Sequence, residues 1–445
     1  MHARILLRSI ERALEDTRVV VLLGPRQSGK STLVSAVAKA RGGRSVTLDD
    51  ASILASARAD PQTLIGGGGA PSGPPALDAD GSAEDDSTTQ SAAGGGGSPL
   101  LVLDEAQKAP ELFPAIKIAV DRDPRPGRFL LTGSADIFAL PTIADSLAGR
   151  IELLTLMPLT QSELEATEVC LPDLLFGSWE PTVDRLAGVT DRVDVCRRIT
   201  AGGFPEVVAR SDTGRRDTWF RSYVTAILER DVRDIADIDQ LSALPSLLGL
   251  LAARAGALMN VAEISRATMI PHTTLRRYLA LLEATFMVAP LPAWSPNIGK
   301  RFVKSPKLHL IDSGLTAHLR GESDAEALAK SSSIGPLLES FVVQQMRSQL
   351  GWSAVHARAH HFRTPVGREV DIVLEAPGGR VVGIEVKASA TFTRRDFAGL
   401  EALAEVSGDR FVRGVLFHLG DQIVPVGPRL VAMPVASLWS PPTCR

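Results

Sequence analysis

Residues 24–31 read Gly-Pro-Arg-Gln-Ser-Gly-Lys-Ser, between an apolar run, RVVVLLG (18–24), and a helical stretch, STLVSAVAKA (31–40). No other feature constrains the chain as tightly. Glycines let successive backbone N–H groups turn inward toward phosphate oxygens. A helix starting near Gly29 adds its positive N-terminal dipole. In such a loop Lys30 reaches the β- and γ-phosphates and the Ser31 hydroxyl ligates Mg²⁺. Gly24, Pro25, Arg26, Gln27, Ser28, Gly29, Lys30, Ser31 and Thr32 are therefore the candidate nucleotide-binding residues. The alternative is a chance match on a Gly-containing turn.

A nucleotide loop needs an acidic partner at the end of a neighbouring strand. PLLVLDEAQ (99–107) supplies Asp104 and Glu105. Asp104 is expected to hold Mg²⁺ and Glu105 to polarise the attacking water; otherwise the pair only caps the following helix. A helix (111–121) and a third strand, RFLLTGSA (128–135), follow. Strands alternating with helices predict a parallel sheet covered on both faces, an α/β architecture. Ser134 is a candidate sensor of the γ-phosphate, or part of a plain strand-to-loop turn. Arg150, in LAGR (147–150), is either a phosphate-sensing arginine, in cis or in trans, or a surface ion-pair residue.

Residues 66–98 hold ten of the 38 glycines, five acids and no Lys or Arg. That composition predicts a disordered insertion rather than a domain boundary. The net charge of −3 turns slightly positive without it, so the whole chain is not a basic nucleic-acid coat. Cys170, Cys196 and Cys444 form no CxxC pair, which gives no sign of a disulfide framework or zinc knuckle. The opening MHARILLRSIERALED reads as an amphipathic helix rather than a signal peptide. No apolar run approaches the ~18 residues of a membrane span. A reducing cytoplasm is the expected compartment.

The stretch 160–255 is helical in pattern, broken by AGGFPE (201–206). NVAEISRATMIPHTTLRRYLALLEATFMV (260–288) has helix-turn-helix spacing, with Arg276 and Arg277 on the second helix and KRFVKSPK (300–307) as a wing. Residues 260–310 carry seven Lys/Arg against two acids, a patch suited to DNA phosphates. A protein-interaction module with a solvated basic face is the alternative. Near the C-terminus, EVDIVLE (369–375) and VVGIEVKAS (381–389) read as two strands around a Gly-rich turn. Glu385 and Lys387 share a face there, and Asp371 can join them. With Glu339 upstream, the set outlines a PD-(D/E)XK nuclease core. Glu339, Asp371 and Glu385 are its candidate metal ligands, and Asp371, Glu385 and Lys387 its catalytic residues. A mere Glu385–Lys387 ion pair, or a nuclease-like fold that only binds, stays open.

With these residues laid out, the chain resembles one family along nearly its whole length. It looks like the prokaryotic AAA-type ATP-binding proteins that pair an archaeal-ATPase-like P-loop domain with a C-terminal domain of unknown function. The resemblance rests on GPRQSGKSTL (24–33), LVLDEAQKAPELF (101–113), FLLTGSAD (129–136), SLAGRIELLTLMPLTQSEL (146–164), GGFPE (202–206) and ILERDVRDI (227–235). It continues through KRFVKSPKLHLIDSGL (300–315), LLESFVVQQM (337–346) and VDIVLE…GIEVKAS (370–389). It implies ATP with Mg²⁺ bound at a P-loop NTPase core (1–160), a helical lid (161–255), a winged helix (256–320) and a nuclease-like domain (330–445). It also implies adenine contact by Gly203 and Pro205 of the Gly-Phe-Pro element, which could equally be a helix-terminating turn. The 66–98 insertion and the DEAQ tetrapeptide depart from the family pattern. The expected function is a Mg-ATP-dependent ATPase acting on or near DNA, with homo-oligomerisation left open and no membrane partner. An ATP-gated metal-dependent nuclease and a nucleotide-operated, non-catalytic switch or scaffold are the rivals.

Overall fold

All five side chains of Val19–Leu23 (β1) are buried, as in a strand covered on both faces. Leu101–Asp104 (β3) and Phe129–Gly133 (β4) are buried throughout as well. In the computed structural model, which describes residues 2–66, 99–135, 147–186, 191–231 and 241–440, these strands form a sheet. Arg44–Thr47 (β2) and Ile151–Thr155 (β5) complete it in the order β2-β3-β4-β1-β5. The β1–β4, β3–β4 and β2–β3 pairs are parallel, as the strand–helix alternation requires. The helices Lys30–Ala40 and Leu112–Arg122 bury apolar faces that include Leu33, Val34, Phe113 and Ile116. The sequence reading missed β2 and β5. They expose most of their side chains, so they lack the continuous apolar run that marks the other three. Residues 67–98 of the expected insertion lie outside the described residues, as do 136–146 and Cys444.

The described chain divides into two compact units: Ile10–Leu23 with Lys30–Leu154, and Met1–Ser9 with Gly24–Gly29 and Thr155–Arg445. The sheet just described belongs to the first.

The second unit carries a seven-stranded sheet, ordered β6-β11-β12-β10-β9-β8-β7. Its strands are Asp184–Arg185 (β6), Arg358–Arg363 (β7), Glu369–Glu375 (β8), Val381–Val386 (β9), Phe411–His418 (β10), Gln422–Gly427 (β11) and Leu430–Pro434 (β12). β8 and β9 are antiparallel with Ile372 opposite Ile384. β9 and β10 are parallel. The helix Ile334–Leu350 packs Leu338, Phe341 and Val342 into one core with Ile372, Ile384 and Val415. Val169, Leu175, Val195 and Ile199 belong to that same core. Residues 169–186 and 191–199, inside the expected lid (161–255), thus bury apolar side chains in the same core as the C-terminal sheet. Their apolar spacing says only that one face is buried, not against what.

A separate helical core joins Phe204, Phe220 and Leu247 to Leu275, Leu282 and Leu310. It includes the helices Val261–Thr268 and His272–Ala284, which are separated by a turn with Met269 at φ 58°. Behind them Lys307 pairs with both Leu258 and Leu291, and Val288 with Leu310. No helix among the described residues is long and apolar enough to cross a membrane.

Candidate functional site

In the first unit Asp104 ends β3 and Glu105 follows it. Leu103 lies opposite Leu131 on β4, so Thr132 arrives beside both acids. Its buried Oγ1 donates to Asp104 Oδ1 and accepts from the Glu105 backbone N–H at 3.0 Å. One hydroxyl therefore orients the pair. Glu105 is left-handed at φ 59°, ψ 46°, a conformation that costs a non-glycine residue about 1–3 kcal/mol and clusters at active sites. Its Oε2 accepts from Ser134 Oγ at 2.8 Å and from Gln107 Nε2. Both bonds fall on Oε2. The same unit holds Lys30, 4% exposed, at the start of its helix. Arg150 makes a two-bond ion pair with Asp121, at 2.7 and 2.9 Å.

In the second unit the segment Gly24–Gly29 has the backbone of an anion cradle. Gly24, Gln27 and Gly29 have φ of 149°, 62° and 93°. A Cβ on Gly24 would stand 2.2 Å from the Leu156 carbonyl oxygen, so only glycine fits there. Arg4, which the sequence reading passed over, donates to the Ser28 carbonyl at 2.8 Å, the Met157 carbonyl at 2.6 Å and Glu163 Oε1 at 2.9 Å. The Glu163 carboxylate is fully buried and also closes a capping box with Thr160. Tyr223 Oη donates to the Arg26 carbonyl at 3.5 Å. Ser28 Oγ is buried without a hydrogen-bond partner. An orphaned hydroxyl in a loop with three positive-φ residues fits a phosphate ligand.

Gly203 donates its N–H to Asp312 Oδ2 at 2.7 Å, and its carbonyl accepts from Leu159 N at 2.7 Å. Phe204 is buried against Trp219 and Tyr223, and Pro205 opens a short helix. Burial pushes the Asp312 carboxyl up to about 6. No sequence pattern pointed to Asp312, which lies 109 residues from Gly203.

The C-terminal carboxylates do converge, but around a lysine. Lys307 Nζ contacts Glu369 Oε1 at 2.6 Å, Glu339 Oε1 at 2.8 Å and Asp371 Oδ1 at 2.8 Å. Asp371 Oδ2 accepts from Val386 N at 2.9 Å. Lys387 Nζ pairs with Glu385 Oε1 at 3.3 Å and with Asp396 at 3.8 Å. Burial, with Asp371 nearby, pushes the Glu339 carboxyl up to about 8 and raises Glu385 strongly. Among the described residues no group of three or more His, Cys, Asp or Glu is placed to hold a metal ion. The expectation of Glu339, Asp371 and Glu385 as metal ligands therefore does not fit this geometry. The Lys307 ammonium lies among Glu339, Glu369 and Asp371, while Glu385 pairs with Lys387. Glu369, two residues before Asp371 on the same strand face, was legible as E-x-D and was missed. Lys307 was read as part of an exposed wing and is 2% exposed.

Comparison with known proteins places these features. Residues 16–165 match the model described as "AAA domain". Residues 192–326 and 334–438 match two domains of unknown function, DUF8612 and DUF4143. The uncharacterized protein Rv2008c of Mycobacterium tuberculosis is 30% identical over 428 residues, 96% of this chain and 82% of that protein. The uncharacterized protein Mb2031c of Mycobacterium bovis matches to the same extent. The chain belongs to the Rv2008c family. Residues 16–165 are thus an ATP-binding, AAA-type P-loop ATPase domain. Among solved structures, the Walker-type ATPase PABY2304 of Pyrococcus abyssi has a TM-score of 0.43 and 15% identity, over 72% of this chain and 96% of that one. AMPPCP-bound DnaA from Aquifex aeolicus has a TM-score of 0.27 and 14% identity, over 63% and 86%.

Proposed function

We propose that this chain is a Mg-ATP-dependent ATPase that acts on or near DNA. The observation that carries the hydrolytic part is the Thr132 hydroxyl, which orients Asp104 and Glu105 together. The motif 24–31 is the expected phosphate loop, and the Lys30 ammonium within it adds positive charge at the β- and γ-oxygens. Mg²⁺ carried by Ser31 and Asp104 supplies charge neutralisation on the phosphates when bound. Glu105 holds Ser134 and Gln107 on Oε2, which leaves Oε1 to accept a proton from the attacking water. Ser134 and Gln107 fix where that oxygen points. Lys30→Ala removes a charge-assisted contact worth about 1.5–3 kcal/mol, so ATP affinity should fall about 10–150-fold by calorimetry. A turnover rate that survives Lys30→Ala rejects this site.

The DNA part is supported by what stays exposed in residues 260–310. Lys307 is buried and Arg301 is paired with Glu375. Arg266, Arg276, Arg277, Lys300 and Lys304 remain exposed. Arg276 and Arg277 lie in the first turns of His272–Ala284, the second helix of the helix-turn-helix. A phosphate-contacting patch makes affinity fall with salt. Arg276→Ala should weaken duplex binding about equally across sequences and lower the slope of log K against log salt by about 1. Unchanged binding in both Arg276→Ala and Lys300→Ala removes DNA from the reading and leaves a protein-interaction module.

A further inference from the structure

Lys307 is held by its backbone before its side chain does anything. Its N–H donates to the Leu291 carbonyl at 2.9 Å, and its carbonyl accepts from Leu291 N at 2.8 Å. The next residue, Leu308, donates to Ala257 at 2.9 Å and accepts from Gly256 at 2.8 Å. The side chain leaves this ribbon and enters the carboxylates of the C-terminal sheet. An ammonium has three N–H donors, and three carboxylates lie within 2.6–2.8 Å of it. Every donor is therefore used. Three carboxylates at hydrogen-bonding distance hold the side chain as an ammonium.

The cluster has more acceptors than one ammonium needs. Glu385 Oε2 is buried without a partner. His309 is 1% exposed, and its Nε2 has no hydrogen-bond partner and faces Glu339 Oε1 at 3.8 Å. Gly256 leaves room for Glu339, since a Cβ there would stand 3.1 Å from Oε2. Carboxylates with an imidazole are a donor set that divalent transition ions take readily.

We propose that the Lys307 ammonium is the resident cation of this cluster, standing where a divalent metal ion would otherwise sit, so that Glu339, Glu369 and Asp371, which are not placed to hold a metal as they stand, can gather around one only once the ammonium is gone. The C-terminal domain then needs no metal to neutralise its buried acids. The same ammonium ties it to the ribbon of the basic module. Access by a metal requires removal of the ammonium from between the carboxylates.

Mn²⁺ binding to the full chain, without nucleotide, tests this by the loss of the free-ion paramagnetic resonance signal. Wild type and Asp371→Asn should bind Mn²⁺ alike. Lys307→Met should gain a site at least about tenfold tighter than any in wild type, in the range by which supporting ligands tune metal affinity. Lys307→Met combined with Asp371→Asn should lose it. Lys307→Arg, which keeps the charge, should gain nothing. An Asp371-dependent ion in wild type, or no gain in Lys307→Met, overturns the proposal. If Lys307→Met is unfolded in chelator, Mn²⁺ should restore its thermal transition, and failure to do so overturns the proposal equally.

Discussion

Glu105→Gln should lower ATP turnover about 10²–10⁴-fold while ATP still binds. The amide keeps the size of the side chain, and its oxygen can still accept from Ser134 Oγ, which donates to Glu105 at 2.8 Å. The backbone bond from Glu105 N to Thr132 does not involve the side chain. Residues 24–31, the proposed phosphate contacts, are untouched, so nucleotide affinity should stay within a few-fold. What is lost is the basic oxygen proposed to take the proton from water. Single-turnover hydrolysis with calorimetry of ATP binding separates the two. A slow rate that Glu105→Gln leaves unchanged favours a nucleotide-operated switch. A loss of binding equal to the loss of rate indicates a collapse of the strained turn at φ 59° instead.

Arg4→Ala should destabilise the chain by about 3–5 kcal/mol, the cost of leaving a buried carboxylate without its partner. Arg4 and Glu163 have side chains only 9% and 0% exposed and lie 2.9 Å apart. Arg4 also donates to the carbonyls of Ser28 and Met157, so its loss orphans buried acceptors too. Denaturant unfolding should show the drop. Arg4→Met with Glu163→Leu should recover much of it, because replacing both charges by apolar groups removes the unpaired acid. An Arg4→Ala chain as stable as wild type would falsify the view that this ion pair holds the loop. ATP affinity should fall in Arg4→Ala even where the chain remains folded, because Ser28 loses the bond that fixes its carbonyl.

The two largest expected effects differ in how far the sequence foretold them. Glu105 was legible because an acid pair after a buried strand, following a phosphate loop, has few other uses. Its left-handed backbone and its bonds to Gln107 and Ser134 were not. Arg4 left no trace in the sequence, because an arginine in a charged amphipathic stretch looks like any solvated residue. Glu163, its partner, is 159 residues away. The same distance blindness misread Lys307, counted among the wing's bases. Its charge suits a phosphate as well as a carboxylate, and only its position decides between them.

Local chemistry determined the phosphate loop, the buried strands on either side of it, the acids at Asp104 and Glu105, and the helix-turn-helix spacing. Each is set within about ten residues by conformational preference and burial period. The tertiary structure alone decided which charge meets which. It placed Thr132 between two acids, buried Arg4 on Glu163, packed 169–186 and 191–199 with the C-terminal sheet, and filled a carboxylate cluster with an ammonium. The physical reason is that a buried charge is held by whatever opposite charge the fold brings within about 3–4 Å, and that distance has no counterpart along the chain.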